Sequence, residues 1–307
     1  MRRTTVLGAA ALAAAPLFTV PSAHAAPSAP PGAVQRHGGH GPASRLAGVE
    51  GTVNLRDLGG YETYFHARVR PGAVYRADAL NHVTDAGLAK LAELGIERVV
   101  DFRTPLEVAT DGPDRLPDGL RVTARPVDDT GMYAAVNAAI GSKDPARQEA
   151  VLGDGRGAAI MRTLYRSFVT DPESAAAFGR TLRETADRSK TPLVFHCTSG
   201  KDRTGWMSYL LLRAVGVPHR TAMHDYLLSN EYRAETDAAV RARLEAAGYM
   251  QNAELLKPIQ DVRPEYLEAA LDEVRREYGS VERYLRDGLG IDGRTRARLR
   301  HDLLTSR

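Results

Sequence analysis

Apolar positions along the chain follow two periods, and the switches between them mark the elements. Over residues 84–94, Leu88, Leu91 and Leu94 recur at helical spacing, with Thr84 as N-cap and Gly95 as stop. Val99-Val100 opens a short apolar run toward Asp101, residues 121–127 alternate, and residues 192–195 read as a short buried strand. Helical spacing returns over 160–169 and 175–186, the second introduced by Asp171-Pro172. Residues 204–215, with Trp206, Tyr209, Leu210 and Leu212, are apolar enough for a core helix. Helices are expected over 221–228, 231–247, 264–278, 281–285 and 294–304. Strands alternating with helices, then helices alone, argue for an α/β domain. Its central sheet is mainly parallel and flanked by helices, and its C-terminal half is helix-rich. No fixed-period repeat and no linker divides residues 45–307, so one domain is expected there.

The first residues follow a different logic. Arg2-Arg3, an apolar run over 6–20 and the small-x-small signature Ala23-His24-Ala25 are the plan of a secretory signal peptide over residues 1–25. The chain is therefore expected to be exported and secreted, by the general or the twin-arginine route. Residues 26–44 are rich in Pro, Gly, Ala and His without apolar periodicity and read as a disordered linker. His37 and His40 within it read as solvated rather than metal-binding. The formal charge is +3, and two of those charges, Arg2 and Arg3, leave with the signal. Such a balance, with no aromatic-interleaved basic stripe, argues against a nucleic-acid partner. An anionic substrate must be held by local charge.

The informative segment is His196-Cys197-Thr198-Ser199-Gly200-Lys201-Asp202-Arg203-Thr204-Gly205, between the buried strand and the core helix. Cys197 is the single cysteine, so no intramolecular disulfide forms, and a free reactive thiol is the reading its context supports. Gly200 permits the unusual dihedrals of a loop whose amides converge on one point. A helix starting near Arg203 points its positive end at the same place, where a phosphate dianion fits. That field also favours thiolate, the nucleophilic form of cysteine. Arg203 offers a planar fork for two phosphate oxygens, and Thr204 is placed to hydrogen-bond the sulfur. Thr198, Ser199, Gly200, Lys201 and Thr204 are the expected substrate-binding positions.

This signature resembles the phosphate loop of the protein tyrosine phosphatase superfamily, in particular its bacterial atypical tyrosine/lipid phosphatase branch. The resemblance extends to Asn54-Leu55-Arg56-Asp57-Leu58-Gly59-Gly60, Tyr75-Arg76-Ala77-Asp78, Asp101-Phe102-Arg103 with Glu107, and Asp225-Tyr226-Leu227-Leu228-Ser229-Asn230. Pro264-Glu265-Tyr266-Leu267 and Glu277-Tyr278-Gly279-Ser280 add to it. It implies a tyrosine phosphatase-like fold and metal-free, cofactor-free hydrolysis of phosphomonoesters. Cys197 would attack phosphorus, and water would then hydrolyse the cysteinyl-phosphate. Accordingly, His66, His82, His196, His219, His224 and His301 show no metal-ligand spacing. His196 would position the loop.

The general acid stays open at this level. The only tryptophan, Trp206, lies inside the core helix, so a Trp-Pro-Asp loop is absent. Asp202 in the loop, Asp101 at a strand end, and Asp128 or Asp129 after the strand ending at Val127 are the alternatives. Asp101 could instead pair with Arg103 or Arg56, and Asp129 could serve the turn before Gly131. Lys201 reads either as a ligand for a second anionic group or as a solvated lysine. Arg56 and Asp57 could brace the loop, or belong to a turn. Expected substrates are phosphorylated proteins or phosphoinositides, and the latter would bring the enzyme into transient contact with a membrane surface. The rival readings are an inositol polyphosphate phosphatase and a catalytically inactive phosphate-binding module. The oligomeric state is not legible in the sequence.

Overall fold

Residue alternation in the three central strands explains the layering. In the computed structural model, which describes residues 46–305, Val74, Val100, Leu193 and Phe195 enter one apolar cluster. Tyr75, Ala77, Val99 and Val194 enter another. Successive side chains of a strand face opposite ways, so the sheet is covered on both faces. The 1–25 signal and 26–44 linker lie outside the described residues.

The elements run in order as follows. Strands β1 (Arg56–Asp57), β2 (Arg68–Val69) and β3 (Val74–Ala77) precede helix α1 (Asp85–Glu93), then β4 (Arg98–Asp101), α2 (Pro105–Asp111) and β5 (Val122–Ala124). Helices α3 (Met132–Gly141), α4 (Pro145–Leu152), α5 (Arg156–Thr170) and α6 (Pro172–Thr185) lead to β6 (Leu193–His196). The chain closes with α7 (Arg203–Val215), α8 (His219–Ala246), α9 (Lys257–Gln260), α10 (Pro264–Tyr278), α11 (Val281–Arg283), α12 (Gly293–Leu303) and β7 (Leu304–Thr305). The main sheet has the order β1-β3-β6-β4-β5. The β3–β6, β6–β4 and β4–β5 pairs are parallel and only β1–β3 is antiparallel. Strands β2 and β7 form a separate antiparallel pair.

Local signals account for most boundaries. Thr84 caps α1 by accepting from the Gly87 amide, as its position predicts. Asp171 caps α6 with Pro172 in the first turn. The strand expected over 121–127 is shorter. Arg125 and Val127 still donate to the carbonyls of Asp101 and Phe102, but Pro126 has no amide to give and the regular ladder stops. The two helices expected over 221–228 and 231–247 are one continuous helix, α8. Ser229 and Asn230 ordinarily compete with helical hydrogen bonds. Here Asn230 instead bonds both ways to the Val262 backbone, at 2.8 Å each, and Ser229 faces the active-site network. Helices α2, α3, α4 and α9 lay outside the sequence reading.

Candidate active site

The phosphate loop occupies the turn between β6 and α7. Its shape is imposed from outside. Gly200 adopts a left-handed conformation, and a Cβ there would lie 2.4 Å from the Asp78 amide and 2.5 Å from the Ala77 carbonyl. Beneath the loop sits a buried polar network assembled from distant segments. Asn54 Nδ2 donates to the Ser199 and Gly200 carbonyls at 3.3 and 2.9 Å. Arg76 donates to the Gly200 carbonyl at 2.8 Å, and Arg233 to the Ser199 carbonyl at 3.2 Å. The Thr198 carbonyl accepts from the Ala79 amide. With these carbonyls turned outward, the amides of the same planar peptides, on Ser199, Gly200 and Lys201, point to the opposite, concave side. That is the orientation an anion nest requires.

Arg56 and Arg76 stand opposite each other across β1 and β3, a like-charge pair that needs a counterion. Asp225 of α8 supplies it, at 3.2 Å from Arg56 and 2.7 Å from Arg76. Burial alone would raise the Asp225 carboxyl, but the two guanidiniums hold it down at about 2. Burial, together with the charge of Arg76, lowers Arg56 to about 10. So Arg56 does support the loop, through Asn54 and Asp225. Asp57 does not: its carboxylate accepts from the Gly59 and Gly72 amides at 2.8 and 2.7 Å and belongs to the turn.

A second buried pair fixes Arg203. Glu107 accepts from Arg203 Nη1 at 2.7 Å and from Nη2 at closer range, while Phe102 O accepts from Nη1 at 3.1 Å. Burial opposes both charges, yet the pairing lowers Glu107 to about 2 and raises Arg203 above its ordinary value. Glu107 also completes the capping box of α2 with Thr104, and it accepts from Thr198 Oγ1 at 2.5 Å. The Thr104-x-x-Glu107 pattern with Pro105 is the signal by which this unread helix start could have been found.

Around these groups lies a cavity of about 50 Å³. Cys197, Thr198, Ser199, Lys201, Asp202 and Arg203 line it. Tyr133 of α3, Arg233, Asp237 and Val240 of α8, and Ile259 and Gln260 of α9 enclose it, and none of these was singled out from sequence. Cys197 is 1 % exposed. Thr204 is fully buried and its hydroxyl has no hydrogen-bond partner among the described residues, so the bond to the Cys197 sulfur is not formed here.

The acid candidates separate clearly. Asp202 lines the cavity. It occupies the N-cap position of α7 but makes no capping bond; its carboxylate accepts from Tyr165 Oη at 2.9 Å and from Lys201 Nζ at 2.9 and 2.7 Å. Lys201 is thus neither solvated nor free in this state. Asp101 does not line the cavity; it accepts from Arg103 Nε and from the Arg103 amide. His196 stands 3.7 Å from Asp101 and 2.9 Å from Asp114, and Arg103 also pairs with Asp114 at 2.8 Å. Asp101, Asp114 and His196 bring ligand-type atoms within 4.8 Å of one another. Arg103 and a protonated His196 together match the two carboxylates in charge, so the group is a closed ion-pair cluster and a poor fit for a metal. Burial disfavours charge on His196, but the two carboxylates prevail and raise it to about 9. Asp129 accepts from the Gly131 and Tyr133 amides at 3.0 and 2.7 Å, opening α3, and Asp128 is exposed.

Comparison with known proteins agrees with this geometry. The chain is 35 % identical over 275 residues to a Cupriavidus necator protein named as a tyrosine-protein phosphatase, covering 88 % of this chain and 92 % of the relative. It is 33 % identical over 277 residues to the triple specificity protein phosphatase PtpB of Mycobacterium tuberculosis, covering 83 % and 98 % of the two chains. A tyrosine-protein phosphatase of Nostoc commune is 33 % identical over 161 residues, 52 % of this chain and 49 % of that one. The model of the tyrosine phosphatase family matches residues 47–305. With a family match across the whole described domain and relatives aligned over most of their length, this chain belongs to the tyrosine phosphatase family and is a phosphoric monoester hydrolase.

Proposed function

We propose that the chain is an exported phosphatase that works through a cysteinyl-phosphate on Cys197. The observation that carries this reading is the convergence of three things on one small cavity. These are the sulfur, the outward-braced loop, and an Arg203 whose fork is set by Glu107. Arg203 holds two non-bridging oxygens of the phosphoryl group while Cys197 Sγ attacks phosphorus. As the bond to the leaving oxygen breaks, Asp202 delivers a proton to that oxygen. Water then attacks phosphorus, the S–P bond breaks, and Asp202 takes the proton from the water. Inorganic phosphate leaves and the thiolate is restored.

Phosphorylated proteins and phosphoinositides are the proposed substrate classes, in line with the triple specificity stated in one relative's name. An inositol polyphosphate reading is less well supported. The cations Lys201, Arg203 and Arg233 around the cavity are matched by Glu107, Asp202 and Asp237. An inactive binding module is not favoured either, because Cys197 and Arg203 are both in place. Parallel kinetics on phosphotyrosine peptides and phosphoinositides assign the class. Export rests on the plan of residues 1–25; N-terminal sequencing of protein outside the cell should start near Ala26, and an intact Met1 there would contradict it.

Cys197→Ser decides the mechanism. The variant should lose turnover of p-nitrophenyl phosphate while still binding phosphate-like anions such as vanadate. Turnover above about 5 % of the parent would overturn nucleophilic catalysis, whose removal ordinarily leaves far less.

A further inference from the structure

Asp202 is gripped through one of its two oxygens by a buried phenol pair. Oδ1 accepts from Tyr165 Oη at 2.9 Å, and Tyr165 Oη in turn accepts from Tyr226 Oη at 2.9 Å. Each phenol carries a single hydrogen. Tyr226 places its hydrogen on Tyr165, with a longer 3.4 Å contact to the Arg263 carbonyl. The hydrogen of Tyr165 is therefore committed to Asp202. Both phenols are fully buried. The Tyr165 ring packs on Phe168 at 5.1 Å and on Tyr226 and Tyr266 at 6.1 Å each, which holds the ring with its oxygen beside Asp202. Lys201 Nζ donates to both oxygens, at 2.9 Å to Oδ1 and 2.7 Å to Oδ2, and an incoming anion competes for that ammonium; the Tyr165 bond is the one that Oδ1 alone has.

We propose that Tyr165, oriented by Tyr226, is a positioning residue for the general acid: it fixes Oδ1 of Asp202 so that Oδ2 carries the proton to the leaving group. The inference rests on the reading of Asp202 as the acid. When substrate draws Lys201 away, Oδ2 is free to hold a proton. On P–O cleavage that proton passes to the leaving oxygen, and the negative charge left on the carboxylate is met at once by the Tyr165 hydrogen. The water of the second step returns a proton to Oδ2. A chain of two hydroxyls strengthens the final bond through mutual polarisation. Burial and the charge of Asp202 hold both phenols well above their usual range, so they stay donors wherever the enzyme works. The other groups facing Asp202 are Lys201 in the loop, Arg233 and Asp237 of α8, and Tyr266 of α10.

The test compares Tyr165→Phe, Tyr226→Phe and Asp202→Asn in the full chain, on an alkyl phosphate such as phosphoserine and on p-nitrophenyl phosphate. An alkoxide needs proton donation and an activated phenoxide barely does. Tyr165→Phe should lower kcat on the alkyl ester about 10-fold and on the aryl ester less than about 3-fold, a part of the whole general-acid contribution. It should also move the basic limb of the pH profile upward, because a carboxylate that loses a donor binds its proton more tightly. Tyr226→Phe should show both effects in weaker form, and it decides the matter if Tyr165→Phe fails to fold. If Asp202→Asn shows the alkyl–aryl gap while the tyrosine variants depress both substrates equally, with the limb unmoved, Tyr165 is merely structural and this inference falls. If Asp202→Asn shows no gap, the reading of Asp202 as acid falls and takes this inference with it.

Discussion

Two buried arginine–carboxylate groups flank the phosphate loop, and they are built to opposite ends. Below the loop, two arginines share one carboxylate: Arg56 and Arg76 both reach Asp225 and all three are sealed from solvent. The surplus donors go to backbone and hydroxyl acceptors, among them the carbonyls of Asn54 and Gly200. Beside the loop, one arginine meets one carboxylate: Arg203 and Glu107 match in charge and Arg203 still lines the cavity. An excess of cationic donors serves to hold loop carbonyls in place. A balanced pair serves to hold one guanidinium at a fixed angle while leaving an edge for a ligand. Burial by itself therefore does not tell the two kinds of arginine apart; here they differ in the ratio of donors to carboxylates and in whether the guanidinium lines the cavity.

Substitutions should separate the two groups. Arg203→Lys keeps the charge but loses the fork, and kcat should fall about 100- to 1,000-fold, the range for removing a preorganised transition-state donor. Its thermal stability should fall far less; near-normal kinetics would refute the bidentate role. Asp225→Asn should do the reverse. It leaves two like charges buried without a counterion and should cost about 3–5 kcal/mol of stability, read by denaturant unfolding. The folded fraction should keep most of its turnover. Parent protein should also lose this contribution in acid. The folded pKa of Asp225, about 2, is depressed from 3.8, so the stabilisation is present above the higher value and fades as pH falls through the lower one.

The smallest effect belongs to the cluster behind the loop. His196 is raised from 6.5 to about 9. Its stabilisation is fully present below the lower value and is lost as pH rises through the higher one. His196→Gln should therefore destabilise the protein in neutral solution, by roughly 1–3 kcal/mol, and less in alkali, where the parent has already lost its advantage. A destabilisation that is flat with pH would mean that the imidazole charge plays no part.

Much of this was legible in the chain. The loop, its strand and its helix could be read because they combine local signals: a short apolar run, a glycine at a forced turn, and a helix of unbroken apolarity. Gly200 shows why that reading succeeds, since its requirement for a missing Cβ is local. Glu107 was visible only as a member of a motif, because its partner lies 96 positions away and no spacing rule reaches that far. Asp101 was a reasonable acid candidate at a strand end, and it lies in an ion-pair cluster because Arg103 and Asp114 fold onto it. Residues 221–247 were read as two helices on either side of Ser229-Asn230, whereas tertiary partners for both side chains let the helix run through.

That unbroken helix has a consequence for how the site adjusts. Asp225, Ser229, Arg233, Asp237 and Val240 recur every three or four residues and so form one stripe along α8. The lower end of the stripe is fastened to Arg56 and Arg76, and its upper end forms a wall of the cavity. The span from Ser229 to Val240 is about 16 Å of rigid rod. Tilting the rod to widen the mouth would lift Asp225 off both arginines. The entrance thus has one fixed jamb, to which Gln260 of α9 is itself fastened through the Asp237 carbonyl at 3.3 Å and Arg241 at 2.5 Å, and accommodation of larger phosphoesters falls to the lining outside α8 and α9, where Met132, Tyr133 and Val136 of α3 sit.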